Sequence, residues 1–275
     1  MKQKINTQDF KASSFEEAFF NLNQTYIHPT AIVGDQVTLE ENVKIGPYCV
    51  VVGKVTIKSG TRLHAHVAVG FPAQNVGTKA SLGSLEIGEN CEIREFASIH
   101  ASKYPDGKTI IGNNCYIMSY SHISHDCVLE DNVTVINNVN LGGHTHVEKN
   151  VILMASSAAH QFCKIGQFTA LAPFSAIRQD LPPFGIFSGK PAGFAGLNLI
   201  GLKRAGFTRE NLNALKSVTK LFYQDKLLLE QIEIQAAQEP WGNDPHVQKF
   251  LTFIKTSSRG VSRLTITDTE NSFTI

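Results

Sequence analysis

Every sixth residue from Ile111 onward is apolar: Ile111, Ile117, Ile123, Leu129, Val135, Leu141, Val147, Leu153, Ala159, Ile165, Leu171 and Ile177. At the chain's 42% hydrophobic content, twelve apolar residues in one fixed phase would arise by chance about three times in a hundred thousand, so the stretch is an internal repeat. Four places further on in each hexad runs a second column of small or β-branched residues: Cys115, Ser121, Cys127, Val133, Val139, Thr145, Val151, Ser157, Cys163, Thr169 and Ser175. A period of six is neither the 3.6 of an amphipathic helix nor a plain alternation of two, although it contains two. It predicts short strands joined by tight corners, with one inward side chain per flat face and small residues in the corners. Among repeat architectures this describes the hexapeptide parallel β-helix, in which three hexads close a triangular coil of about eighteen residues and coils stack at about 4.8 Å.

The same phase begins at Ile27 and continues through Val33, Leu39, Ile45, Val51, Ile57, Leu63 and Val69. It fails at Asn75 and Ser81, inside a Gly-rich run, which predicts a loop over 70–86 pushed out from a corner. It resumes with Ile87, Ile93 and Ile99, breaks around Tyr104-Pro-Asp-Gly107 and re-enters at Ile111 without a change of phase. Either break is an atypical coil or a loop of convenient length. Residues 1–26 lie outside the repeat. There the capping-box spacing of Ser14-Phe-Glu-Glu17 predicts a short helix that packs on the scaffold's end and caps the first coil. The repeat extends to about residue 190. A helical domain follows over 191–260, with Leu212, Leu215, Thr219 and Phe222 on one helix face, a second helix near 227–237, and a third opened by Asp244 as cap and Pro245. Residues 261–275 are polar and read as a flexible tail.

Composition changes this picture little. The 275 residues carry a net charge of +1 with 18% charged side chains, which gives no reason to expect nucleic acid or a membrane surface as partner. No apolar run approaches a transmembrane helix, and the basic start has no apolar stretch behind it to make a signal peptide, so a cytoplasmic protein is expected. The five cysteines, Cys49, Cys91, Cys115, Cys127 and Cys163, all fall in the small-residue column and read as buried fillers rather than ligands or nucleophiles. Between Lys203 and Lys226, six basic residues face two acidic ones, either a solvated helix face or a dock for an acidic carrier or phosphate.

Candidate chemistry comes from folding the period into coils. Residues eighteen apart stack, so His125, Gly143 and Gln161 share one column and Asp126, His144 and Phe162 the next, with His122 and His160 close by. Four histidines are thereby expected at one external corner region. Histidine suits general-base work near neutral pH, a neighbouring carboxylate such as Asp126 fixes its tautomer, and Gly143 offers a backbone N–H to a developing oxyanion. Base, orienter and oxyanion donor together describe acyl transfer. The competing chemistry is a zinc site built from His122-x-x-His125 and His144.

These residues resemble the UDP-N-acetylglucosamine acyltransferase family of lipid A synthesis, over roughly residues 27–260. The segments that carry the likeness are His122-Ile-Ser-His-Asp-Cys127, Leu141-Gly-Gly-His144, Ala159-His-Gln-Phe-Cys163, Gln179-Asp-Leu-Pro-Pro183 and Gly201-Leu-Lys-Arg204 followed by Gly206 and Phe207. The resemblance implies a left-handed parallel β-helix with a C-terminal α-helical domain, assembled as a homotrimer with active sites between subunits. It implies His125 as general base on the sugar 3-hydroxyl or 3-amine, Asp126 as its orienter, and the Gly143 N–H on the tetrahedral intermediate. The donor would be the phosphopantetheine thioester of an acyl carrier protein, the acceptor a UDP-sugar, and no cofactor or metal is required. Gln74, His122, His144, His160 and Gln161 match positions lining the substrate site, Asn198 and Arg204 match the nucleotide end, and Pro173 falls where the family sets acyl chain length. The chain departs from the pattern with Asn75 for an aspartate, Gly77 or a displaced Lys79 for a lysine, Ile200 for a glutamate and Ala205 for a second arginine. Two alternatives stand beside this reading: a paralogue acylating another nucleotide amino sugar, from acyl carrier protein or coenzyme A, and a non-catalytic trimeric scaffold.

Overall fold

Strands two to four residues long recur at the predicted spacing, because each flat face of a hexad has room for only a few extended residues before the next corner. The computed structural model describes residues 19, 21, 23–76 and 83–266. The chain divides into two compact units, 1–138 and 139–275. The division falls inside the repeat instead of near residue 190. In a stack where each coil touches only its neighbours, compactness sets no boundary at the repeat's end.

In the first unit successive strands fall in turn on three parallel sheets. One sheet holds Tyr26–Ile27, Lys44–Ile45, Arg62–Leu63, Glu92–Ile93, Tyr116–Ile117 and Thr134–Val135. The partners Tyr26↔Lys44 and Lys44↔Arg62 are one eighteen-residue coil apart. Across the first break Lys54 pairs with Ser84, a step of 30, and across the second Ser84 pairs with Lys108, a step of 24. Both breaks are therefore loops, which add twelve and six residues to a coil. Phase survives because both lengths are multiples of six.

The inward column is buried throughout the first unit from Ile45 onward; Ile45, Val51, Ile57, Leu63, Val69, Ile87, Ile93, Ile99, Ile117, Ile123, Leu129 and Val135 have no accessible surface. In the first coil Ile27, Val33 and Leu39 are half-buried. The expected helix over 14–22 lies outside the described residues, apart from Phe19 and Asn21. Phe19 is buried with its ring 5.2 Å from that of His64, so the one described apolar side chain of that segment packs beside the third coil and not beneath the first.

All five cysteines are buried thiols outside any disulfide, as expected of fillers. Three polar members of the small column in this unit donate to a nearby carbonyl. Thr61 Oγ1 donates to Gly88 O at 2.7 Å, Cys91 Sγ to Gly112 O at 3.0 Å and Ser121 Oγ to Ile136 O at 3.0 Å. Many corners also hold a residue in the left-handed region, for which asparagine and glycine are the ordinary choices: Asn42, Gly60, Asn90, Asn114, Asn132 and Asn138. Aromatic residues take the same corner at Tyr48, His66, Phe96 and Tyr120, where their rings stack at 5.0, 4.8 and 5.0 Å. That separation equals the coil rise, so ring stacking is the contact available to offset the backbone cost.

In the second unit the pattern repeats from Asn140–Leu141 to Ala176–Ile177, with Asn140↔Ala158 and Ala158↔Ala176 again eighteen apart. Gly185–Gly189 adds one more parallel strand on Ala170–Leu171, and Ala192–Leu197 turns back antiparallel on it. A strand thus precedes the helices expected within 191–260. Helices α1 (Leu199–Arg204), α2 (Arg209–Thr219, continued as a wider π turn over Lys220–Gln224), α3 (Leu229–Ala237) and α4 (Pro245–Thr256) follow. Leu212, Leu215, Thr219 and Phe222 are buried on one face as predicted, and Asp244 Oδ1 accepts from the His246 N–H at the start of α4.

The segment after α4 is not loose as far as it is described. Val261 bridges to Asp180 and Thr265 to Phe194. The buried Asp180 carboxylate accepts from Ser257 Oγ at 2.6 Å and from the Lys164 N–H at 2.7 Å. These pairs replace the expected tail over 261–266, because the backbone there completes hydrogen bonds left open by 180 and 194.

Replacing the inward Leu129 by alanine should cost about 2–5 kcal/mol in urea unfolding, whereas alanine at the outward Val128 should cost under about 1 kcal/mol.

Candidate functional site

Two of the sequence-predicted site residues meet in the first unit. His125 and Asp126 are neighbours at a corner, with side chains only 7% and 8% exposed, and His125 Nδ1 lies 2.7 Å from Asp126 Oδ2. A carboxylate only accepts, so Nδ1 carries the proton and Nε2 is left as the basic nitrogen. Asp126 occupies the left-handed corner position at φ 61°, a conformation aspartate tolerates better than most residues. Its backbone N–H donates to Thr109 Oγ1 at 2.8 Å.

His122 is one strand back, half-buried, with Nδ1 2.8 Å from Ser98 Oγ and Nε2 3.0 Å from Ser124 Oγ. Hydroxyls engage both ring nitrogens, so the zinc reading of His122-x-x-His125 has no uncommitted nitrogen on its first member. Burial, together with the nearby His100 and His125 rings, pushes the His122 pKa down to about 4, and the ring is neutral at physiological pH.

His100 belongs to this cluster and was missed from sequence. Its ring centroid is 5.0 Å from that of His122 in an edge-to-face arrangement, and burial lowers its pKa, with a further push from His125. His100 Nδ1 lies 2.5 Å from Pro72 O, which ties the histidine cluster to the first inserted loop. Stacking by eighteen does not find it, because Ser98 pairs with His122 at a step of 24 across the second loop. Gln74 and Asn75, further along the first loop, are exposed; Gly77 and Lys79 lie outside the described residues.

The other candidates lie in the second unit. His144 stacks on Phe162 at 4.5 Å with the rings nearly parallel, as the eighteen-residue rule predicts. Gly143 O accepts from the Phe162 N–H at 2.9 Å. His160 and Gln161 are exposed, and His160 Nδ1 lies 3.3 Å from Arg259 Nη2, which brings the turn after α4 to this corner. Pro173 and Phe174 are exposed at the next corner up, Phe174 in the left-handed conformation at φ 57°. Asn198 is the N-cap of α1: its Oδ1 accepts from the Gly201 N–H at 3.1 Å and its Nδ2 donates to Phe168 O at 2.9 Å. Arg204, at the last turn of α1, is exposed, as is Ile200 at 68%.

A buried imidazole with one nitrogen pinned by a carboxylate, carried on a corner of a hexapeptide coil, places the chain among the hexapeptide-repeat acyltransferases. Comparison with known proteins narrows the class. The family model described as Udp N-acetylglucosamine O-acyltransferase, domain 2, matches residues 180–262, and the bacterial transferase hexapeptide model matches 36–70 and 108–143. The acyl-[acyl-carrier-protein]--UDP-N-acetylglucosamine O-acyltransferase of Thermodesulfovibrio yellowstonii is 38% identical over 256 residues, which cover 86% of this chain and 99% of that protein. The UDP-N-acetylglucosamine acyltransferase structure from Francisella novicida superposes with a TM-score of 0.75 at 28% identity, over 86% and 93% of the two chains. That of LpxA from Acinetobacter baumannii superposes with a TM-score of 0.75 at 32% identity, over 86% and 98%. The chain belongs to the UDP-N-acetylglucosamine O-acyltransferase family. Its fold is accordingly the left-handed parallel β-helix with C-terminal helices. Among the described residues no helix is long and apolar enough to cross a membrane.

An unfolded histidine takes up its proton near pH 6.5, whereas folded His122 does so only near 4. Between those values the unfolded chain binds more protons, so stability is complete above pH 6.5 and declines as pH falls toward 4. Thermal melts from pH 7.5 to 4.5 should show this decline, and His122→Asn should make it shallower.

Proposed function

We propose that this chain transfers a 3-hydroxyacyl group from the phosphopantetheine thioester of acyl carrier protein to the 3-hydroxyl of UDP-N-acetylglucosamine, an early step of lipid A synthesis in the cytoplasm. The observation that carries the reading is the buried His125–Asp126 pair with Nε2 left as base. In the first step Nε2 removes the hydroxyl proton as the oxygen attacks the thioester carbonyl. Asp126 supports the imidazolium that forms, and the Gly143 N–H donates to the oxyanion. Collapse of the tetrahedral intermediate breaks the C–S bond, and the imidazolium returns the proton to the leaving thiolate. The thioester brings its own activation, so the transfer calls on no cofactor or metal.

Neutral His122, with His144, His160, Gln161 and Gln74, completes the substrate lining in this reading, and Asn198 and Arg204 meet the nucleotide. The exposed basic residues Lys203, Arg204, Arg209, Lys216, Lys220 and Lys226 suit an acidic carrier protein. A homotrimer is part of the proposal: Tyr48, Phe96 and Tyr120 are 58%, 47% and 60% exposed in one stacked column, an apolar strip that a second copy would cover.

One observation favours a second reading, in which another nucleotide amino sugar is the acceptor. Ile200 presents an apolar side chain, 68% exposed, where the family pattern has glutamate, and Ala205 stands in place of an arginine.

His125→Ala should lower acyl transfer by about 10²–10⁴-fold, and transfer at the wild-type rate would sink the catalytic assignment. Mass spectrometry of products from a panel of acyl carrier protein and coenzyme A thioesters against several UDP-sugars separates the two acceptors and reads out O- against N-acylation. Pro173 and Phe174 are proposed to shorten the acyl groove. In the same assay Pro173→Gly should shift preference toward longer chains, and an unchanged chain-length profile would count against that role.

A further inference from the structure

Asp126 is held more completely than the His125 contact requires. Besides His125 Nδ1, its Oδ2 faces the Lys103 backbone N–H at 3.4 Å, and its Oδ1 takes a short hydrogen bond from the Ser102 hydroxyl. Ser102 has no accessible surface, and its Oγ also accepts from the Tyr104 N–H at 3.0 Å. Neither Ser102 nor Lys103 belongs to the hexapeptide pattern. Both lie in the six-residue insertion between Ser98–His100 and Lys108–Ile111. The turn is drawn tightly against the carboxylate: a Cβ at Gly107 would sit 2.1 Å from Ser102 Oγ and 3.0 Å from Asp126 Oδ1. A side chain there would push the hydroxyl off its acceptor.

We infer that Ser102 is a positioning residue, whose hydroxyl fixes the rotation of the Asp126 carboxylate so that Oδ2 stays aimed at His125 Nδ1. The inference rests on the reading of His125 as general base. The terminal torsion of an aspartate has a broad energy well, so a carboxylate held through one oxygen swings over a wide arc, and one held through both does not. An imidazole whose partner swings loses its set orientation, and small misplacements of a reacting group are costly in rate. The competing role for Ser102 is to fasten its own turn through the Tyr104 N–H. That role would act on the turn whether or not residue 126 is a carboxylate.

A double-mutant cycle on the full chain separates the two roles. Ser102→Ala should lower kcat about tenfold or more, with KM for the sugar nucleotide and the acyl carrier within about threefold. In an Asp126→Asn background, where the fixed carboxylate is already lost, the same substitution should change kcat by less than about twofold. Equal losses in both backgrounds, or a single variant with kcat within about twofold of wild type, would overturn the proposal. Thermal melts report whether each variant folds. If Ser102→Ala does not, Gly107→Ala enters the cycle in its place, since it displaces the hydroxyl without removing it. An active His125→Ala variant overturns the general-base reading itself, whereas an inactive one alongside a normal Ser102→Ala overturns only the role of Ser102.

Discussion

Parallel backbone hydrogen bonds between one coil and the next are the constraint on which the rest depends. In the uninterrupted coils they hold strands eighteen residues apart, as at Lys44↔Arg62 and Ala158↔Ala176. A slip of one residue would turn every inward isoleucine or leucine to solvent and every outward polar residue into the core. The chain is therefore free to leave the coil only if it rejoins with inward residues again paired to inward residues. It does so twice, with twelve and six extra residues. Both excursions reach the histidine cluster: the first through Pro72 O on His100, the second through Ser102 and Lys103 on Asp126.

That constraint also explains how a buried acid–base pair arises on a scaffold whose interior is filled by hydrocarbon. The inward positions around the cluster, Ile99, Ile123 and Leu129, have no accessible surface and no room for chemistry. The pair sits on the outside of a corner, and its burial comes from what is folded over it. An imidazole there keeps its polar partners while losing most of its water, the condition under which a hydrogen bond to a carboxylate is strongest. The same enclosure drives His100 and His122 toward the neutral form, so two rings line the site without adding positive charge.

Much of this was readable from residues alone, because the repeat is one-dimensional. Counting by six located the core, the corners and the five buried cysteines, and counting by eighteen placed His144 on Phe162. Counting failed where the step changed. His100 is beside His122 at a step of 24, so arithmetic tuned to eighteen passes over it. Ser102 was hidden for a related reason: a serine in an irregular turn carries no periodic signal, and its meaning appears only when the turn is folded back on Asp126. The segment after α4 misled through composition. Its polar residues suggested an untethered tail, yet Asp180 and Phe194 had backbone groups to complete. Asn198 shows a further limit, since a residue matched to a ligand-binding role is also the cap of a helix, and only geometry separates the two uses.

The rule that chain leaving the coil returns in phase has a consequence at the level of the gene. An insertion of any length that leaves and rejoins at a corner keeps every downstream coil in register, provided the flanking strands still pair inward residue to inward residue, as Leu171 and Phe187 do at a step of sixteen. The reach and shape of the loops over the histidine cluster would then vary widely among descendants, while single substitutions at outward positions change the chemistry without disturbing the stack. Lineages of such a scaffold would diverge by insertion and deletion in their loops and by single residues on their corners.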